Sequence, residues 1–168
     1  MALLEIRKYP DPCLKEICSP VENIDDQILK LMENMAETMY ANLGIGLAAP
    51  QVGKPLRIIV LDVNRDDQAS GLLKLINPEI VDKQEKIKWE EGCLSLPELT
   101  VEVDRFNKVK IEALCPDGQP TTIEAEGLLS VCLQHEIDHL DGVLLVDRLS
   151  SLRRNFYQKK RLKEEAQH

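Results

Sequence analysis

Three patterns in the 168 residues predict an α+β fold, with antiparallel sheets packed around a central helix and a further helix near each end of the chain. Strand-like runs cluster in the middle of the chain instead of alternating with helices. An apolar stripe at helical spacing precedes them, and a highly charged helical segment follows them. A mostly apolar stretch over residues 128–140 is long enough to be a buried helix rather than a strand. No stretch reads as a linker, an internal repeat or a low-complexity tract, so a single domain over residues 1–168 is expected.

The elements follow in order. Tyr9-Pro10-Asp11-Pro12 is a turn that opens an irregular stretch ending at Pro20. Asn23 is placed to cap a helix running from about Ile24 to Asn42. In it Ile24, Ile28, Leu31, Met32, Met35 and Met39 recur at helical spacing, and Gly44 ends it. The methionine stripe reads as core. A glycine-rich loop comes next. Strands are then expected at 56–63, 72–81, 85–91, 99–104, 108–115 and 120–126, separated by Asn, Asp, Gly and Pro. The helix over 128–140 leads to a short strand at 143–146 and a charged helix over 151–166.

Composition bounds the function. With 43% hydrophobic and 30% charged residues the chain is an ordinary globular one. A net charge of −8 argues against binding nucleic acid across the whole surface, and no DNA partner is expected. The N-terminus lacks the apolar run of a signal peptide, and no stretch approaches a membrane span, so a cytoplasmic protein without a membrane partner is expected. The five cysteines, Cys13, Cys18, Cys93, Cys115 and Cys132, are odd in number, which argues against a disulfide framework. Four of them read as small buried hydrophobes. Cys93 stands apart.

Chemistry is concentrated in three segments. The first, Gln134-His135-Glu136-Ile137-Asp138-His139-Leu140-Asp141-Gly142, holds two of the three histidines in the chain. Positions i and i+4 share a helix face, so both imidazoles reach one metal ion, and Glu136 reaches a water bound to it. A chance match on a solvated helix is the bland alternative. The apolar surroundings oppose it, because buried histidine and glutamate need partners and a divalent cation supplies one. A catalytic site needs a third protein ligand and an open position. Nothing downstream provides that ligand. Upstream, Glu91-Gly92-Cys93-Leu94-Ser95-Leu96-Pro97 offers Cys93, which on residues alone reads either as a thiolate ligand or as a buried thiol. Gly92 there allows a sharp turn or a close approach to a ligand. In the third segment, Gly44-Ile45-Gly46-Leu47-Ala48-Ala49-Pro50-Gln51, small residues leave the backbone accessible, and Gln51 is a candidate donor to an oxyanion. Blandly, the same segment is a helix terminator followed by a turn.

Together, in this order and at these separations, the three segments resemble the signature motifs of the peptide deformylases. The opening ALLEIRKYPDP, Pro20-Val21 and Val109-Lys110-Ile111 are similar too, so the resemblance covers essentially the whole chain. It implies Cys93, His135 and His139 as metal ligands with water as the fourth. The ion implied is ferrous iron, with zinc, nickel or cobalt able to substitute. The implied reaction removes the formyl group from N-formylmethionyl peptides and releases formate. Glu136 would serve as general base and acid, and the Gln51 amide and Leu94 backbone N–H as oxyanion donors. Ile45, Gly46, Leu128, Val131, Cys132 and His135 would surround the methionine side chain, while Gly46 and Gly92 let the peptide lie as an added strand. Glu91 and Arg105 are expected to form an ion pair behind the ligands. Two departures bear on peptide preference: Thr100 stands where several relatives carry an arginine, and Leu43 where the residue is often polar. The basic C-terminal helix (Arg153, Arg154, Lys159, Lys160, Arg161, Lys163) resembles that of relatives that dock on the ribosome near the nascent-chain exit. The rival readings are a zinc endopeptidase of the H-E-x-x-H type, which lacks its usual downstream ligand here, and a metal-stabilised adaptor, which leaves Glu136 without a role.

Overall fold

Five strands form one antiparallel sheet in sequential order: β1 (Gly46–Ala48), β2 (Ile58–Leu61), β3 (Leu73–Cys93), β4 (Leu96–Leu114) and β5 (Pro120–Glu126). Helices α1 (Asp26–Ala41), α2 (Leu128–Leu140) and α3 (Ser151–Ala166) complete the framework. This computed structural model describes residues 2–64 and 71–167, so His168 lies outside the described residues.

The short strand β2 explains the layering. Its four residues, Ile58, Ile59, Val60 and Leu61, are all fully buried. Successive strand side chains point to opposite faces, so a continuous apolar run requires cover on both. Ile58 and Val60 pack with Met32, Met35 and Met39 of α1. Ile59 and Leu61 pack instead with Leu133, Ile137 and Leu140 of α2. The sheet is thus sandwiched between the two helices, and each core side chain contributes about 1.5–3 kcal/mol by leaving water. A third cluster gathers Leu96, Val101 and Val103 of β4 with Leu144–Val146 and Tyr157 of α3. The expected α+β class and the methionine-lined core of α1 are both present.

Four local expectations are corrected. The cap of α1 is Asp25, not Asn23, because an Asp25 side-chain oxygen accepts the Ile28 N–H at 3.0 Å. The glycine-rich loop contains β1, whose Gly46, Leu47 and Ala48 pair with Leu61, Val60 and Ile59. The strands expected at 72–81 and 85–91 are one strand, as are those at 99–104 and 108–115. Asp82–Gln84 and Arg105–Asn107 look like breaks in the sequence, yet they are carried through by cross-strand pairing, with irregular register after Ile76 and Ile80. No strand forms at 143–146. Residues Leu145–Arg148 make a 3₁₀ turn, closed by Asp147 accepting the Leu144 N–H at 2.8 Å. The apolar run there reflects burial rather than strand pairing.

Candidate active site

Two elements carry the ligand candidates, and each is fixed by local chemistry. Helix α2 is buried nearly all round. It stops at Gly142, whose φ of +73° and tight approach to the Lys15 carbonyl leave no room for a Cβ. The other element is the tight turn Leu94-Ser95 between β3 and β4, across which Cys93 pairs with Leu96.

This turn brings Cys93 to the helix. The ligand atoms of Cys93, His135 and His139 all lie within 4.8 Å of one another. His139 Nε2 is 3.2 Å from His135 Nε2 and 3.4 Å from Cys93 Sγ. These separations suit one ion at ordinary bond lengths of about 2.0–2.3 Å. The donor set of one thiolate and two imidazoles suits iron, zinc, cobalt or nickel better than magnesium or calcium. A buried Glu136 oxygen, Oε1, has no partner among the described residues, as expected of a carboxylate waiting for a water or substrate. The residues present therefore fit a divalent ion.

A further set of bonds orients His135, one of the candidate ligands, whereas the buried His139 Nδ1 has no partner among the described residues. His135 Nδ1 lies 2.9 Å from Glu91 Oε1, which directs Nε2 toward the cluster. Arg105 grips Glu91 through Nε at 2.7 Å and Nη2 at 2.9 Å, so the expected ion pair is present, and both side chains are nearly excluded from solvent. Arg105 Nη1 also donates to Asp138 at 2.6 Å, and Asp138 accepts from Arg148 at 2.9 Å. Burial pushes the Glu91 carboxyl up, but Arg105 and His135 outweigh it and hold Glu91 below its ordinary range. Burial opposes charge on His135, yet Cys93, Glu91 and Glu136 raise it well above its usual value. Burial, helped by His135, holds His139 well below its own. Glu136, pushed up by burial, sits at about 7.

Gln51 is 1% exposed. Its Oε1 accepts the Ala48 N–H at 2.9 Å, which turns Nε2 toward Ser95 Oγ (3.1 Å) and Cys93 Sγ (3.5 Å). The amide donor thus faces the ligand cluster. A cleft of about 630 Å³ opens there, lined by Ile45, Gly46, Gln51, Gly92, Cys93, Leu94, Leu128, Val131, Cys132, His135 and Glu136. Every site residue expected from the sequence except the deeply buried His139 lines it. At Gly46 a Cβ would lie 2.3 Å from Glu136 Oε2 and 3.0 Å from Cys132 Sγ, so a larger residue there would displace the carboxylate. Gly92 differs: its φ is not positive, and a Cβ would meet nothing closer than 3.6 Å, so the expected sharp turn is not what places glycine there. A larger polar groove of about 1020 Å³, between the N-terminal segment and α3, holds no ligand cluster among the described residues.

Sequence reasoning missed Ser95, Asp138 and Gln134. Gln134 bridges α2 to β4 by accepting the Phe106 N–H (3.0 Å) and donating to the Phe106 carbonyl (2.7 Å). Its place beside His135 and its amide group were the available signals.

Residues 3–155 match the family model for polypeptide deformylase. A peptide deformylase of Syntrophobacter fumaroxidans is 51% identical over 167 residues, covering 98% of each chain. A crystal structure of a peptide deformylase from Legionella pneumophila superposes with a TM-score of 0.91 at 43% identity, covering 98% of this chain and 96% of that one. Another, from Ehrlichia chaffeensis in complex with actinonin, gives 0.92 at 42%, covering 98% and 99%. With ligand cluster, cleft and fold in agreement, the chain belongs to the polypeptide deformylase family, metal-dependent hydrolases that remove the N-formyl group from nascent peptides.

Proposed function

We propose that Cys93, His135 and His139 hold one ferrous ion, and that Glu136, Gln51 and Leu94 carry out the deformylation of N-formylmethionyl peptides around it. The observation that carries this reading is the convergence of the three ligand atoms beside the unpartnered Glu136 oxygen. The cation, when bound, supplies Lewis acidity toward water and the formyl carbonyl. Glu136 takes the proton of the attacking water on its free oxygen and returns it to the departing amine nitrogen. A carboxyl poised near neutrality suits both transfers. The Gln51 Nε2 and the Leu94 backbone N–H donate to the developing oxyanion. Ile45, Gly46, Leu128, Val131 and Cys132 receive the methionine side chain, and Gly92 leaves the strand edge open to the peptide backbone.

The test is formate release from formyl-Met-Ala-Ser by protein purified without oxygen, with the metal content measured alongside. Glu136→Gln should keep the ion and lose about 10²- to 10⁴-fold in turnover. Internal cleavage of an unformylated protein without formate release would favour the endopeptidase reading, which the family match does not favour.

We further propose that the chain acts as one catalytic unit in the cytoplasm, at the ribosome near the nascent-chain exit. The family match across residues 3–155 supports the first part, and no helix among the described residues is long and apolar enough to cross a membrane. Helix α3 supports the second. Leu152, Phe156, Lys159 and Lys163 recur at helical spacing on it and are all exposed, a face suited to protein and ribosomal RNA together. Deleting residues 152–168 should weaken co-sedimentation with ribosomes.

A further inference from the structure

Ser95 is fully buried in the turn between β3 and β4, and the proposed chemistry gives it no part. A buried hydroxyl is costly unless it is bonded. Its one side-chain partner among the described residues is Gln51, whose Nε2 donates to Ser95 Oγ at 3.1 Å. An amide side chain carries two donor hydrogens and one carbonyl. In Gln51 the carbonyl accepts the Ala48 N–H at 2.9 Å, which decides the end of the amide that faces the ligand cluster. That bond alone leaves the amide free to swing about it. Ser95 Oγ supplies a second point of attachment by taking one Nε2 hydrogen. The other hydrogen is left for the side on which Cys93 Sγ lies, 3.5 Å from Nε2.

The backbone braces the same two residues. The Arg7 N–H donates to the Gln51 carbonyl at 2.7 Å, and the Tyr9 N–H donates to the Ser95 carbonyl at 2.8 Å. One short segment, from Arg7 to Tyr9, thus ties together the two elements that bear the oxyanion donors. Donors fixed before reaction need no reorganisation when charge develops, and a shift of about 1 Å in such a group costs about 100-fold in rate. We propose that Ser95 is a positioning residue for deformylation: its hydroxyl fixes the Gln51 amide so that the second Nε2 hydrogen meets the oxyanion beside the Leu94 N–H. This rests on the deformylase reading of the cleft and gives that reaction one more residue. Ser95 itself touches no reacting atom. It acts through Gln51 alone.

The test compares the unaltered full chain with Ser95→Ala, Gln51→Ala and the double variant, all metal-loaded, by kcat and KM for formate release from formyl-Met-Ala-Ser. Ser95→Ala should lower kcat by about 10- to 100-fold and leave KM nearly unchanged, because the oxyanion exists only in the transition state. With Gln51 already replaced by alanine, the same change should cost less than about twofold, since no amide remains to be aimed. Zinc affinity in chelator competition should be the same with and without the Ser95 hydroxyl. In metal-free protein the Gln51 side-chain amide hydrogens, identified by their loss in Gln51→Ala, should exchange with solvent faster in Ser95→Ala. An undiminished kcat, an equal loss in both backgrounds, unchanged amide exchange, or zinc affinity falling in step with kcat overturns the assignment and leaves the deformylase reading standing. Release of no formate by the unaltered protein overturns the reading beneath it.

Discussion

Arg105→Met is the most informative substitution outside the cleft. Arg105 is 4% exposed and Glu91 7%, and two guanidinium bonds of 2.7 and 2.9 Å join them. Removing the guanidinium leaves the buried Glu91 carboxylate with the His135 imidazole as its only remaining partner. Breaking one side of such a pair costs about 3–5 kcal/mol, whereas replacing both sides with apolar groups is often near neutral. The single variant should lose that amount in urea unfolding, and Glu91→Met/Arg105→Met should recover most of it. Metal affinity should behave differently. The His135 Nδ1 bond to Glu91 orients the ligand, and losing such a partner weakens binding by about 10- to 100-fold. The double variant should therefore be stable yet weak for zinc in chelator competition. A double variant as unstable as the single one, or one binding zinc like the unaltered protein, would refute this account.

Other outcomes follow from the same site. Glu136 sits at about 7 against an ordinary 4.5, so the folded metal-free protein binds this proton more tightly than the unfolded chain. A raised carboxyl stabilises the fold relative to an ordinary one below about pH 4.5, and that advantage is lost as pH rises through 7. The stability gained by Glu136→Gln in metal-stripped protein should thus grow between pH 5 and 8 by up to about 3 kcal/mol, read by urea unfolding. Gly46→Ala drives a methyl group to 2.3 Å from the Glu136 carboxylate and should cut turnover at least about 100-fold, measured by formate release. Asp25→Ala removes the α1 cap and should cost about 1 kcal/mol in thermal unfolding without changing kcat.

The sequence was most legible where one periodicity or one residue type left few choices. Helix α2 and its paired histidines follow from the i, i+4 rule. Helix α3 follows from its charge pattern and spans the expected 151–166, and the structure adds a Ser150 cap that accepts the Arg153 N–H. The methionine stripe faces the core because its apolar residues recur at helical spacing, and the one polar residue buried among them, Thr38, bonds back to the Asn34 carbonyl. What escaped depended on distant partners. β1 is strand only because β2 lies beside it, and Asp82–Gln84 continue a strand only because β4 pairs with them. Asp138 reads as an exposed helix residue until Arg105, 33 positions away, is brought against it. Of the two readings of Gly92, a sharp turn or a close approach to a ligand, its ordinary backbone rules out only the turn.

The run of ionic and hydrogen bonds from His135 through Glu91, Arg105 and Asp138 to Arg148 consists of protein groups alone. Acquiring tertiary structure and loading the ion should therefore be separable events, unlike those of small domains that collapse without their zinc. Chelator-stripped protein is expected to keep its thermal unfolding transition, and resupplied divalent metal to restore formate release without a refolding step.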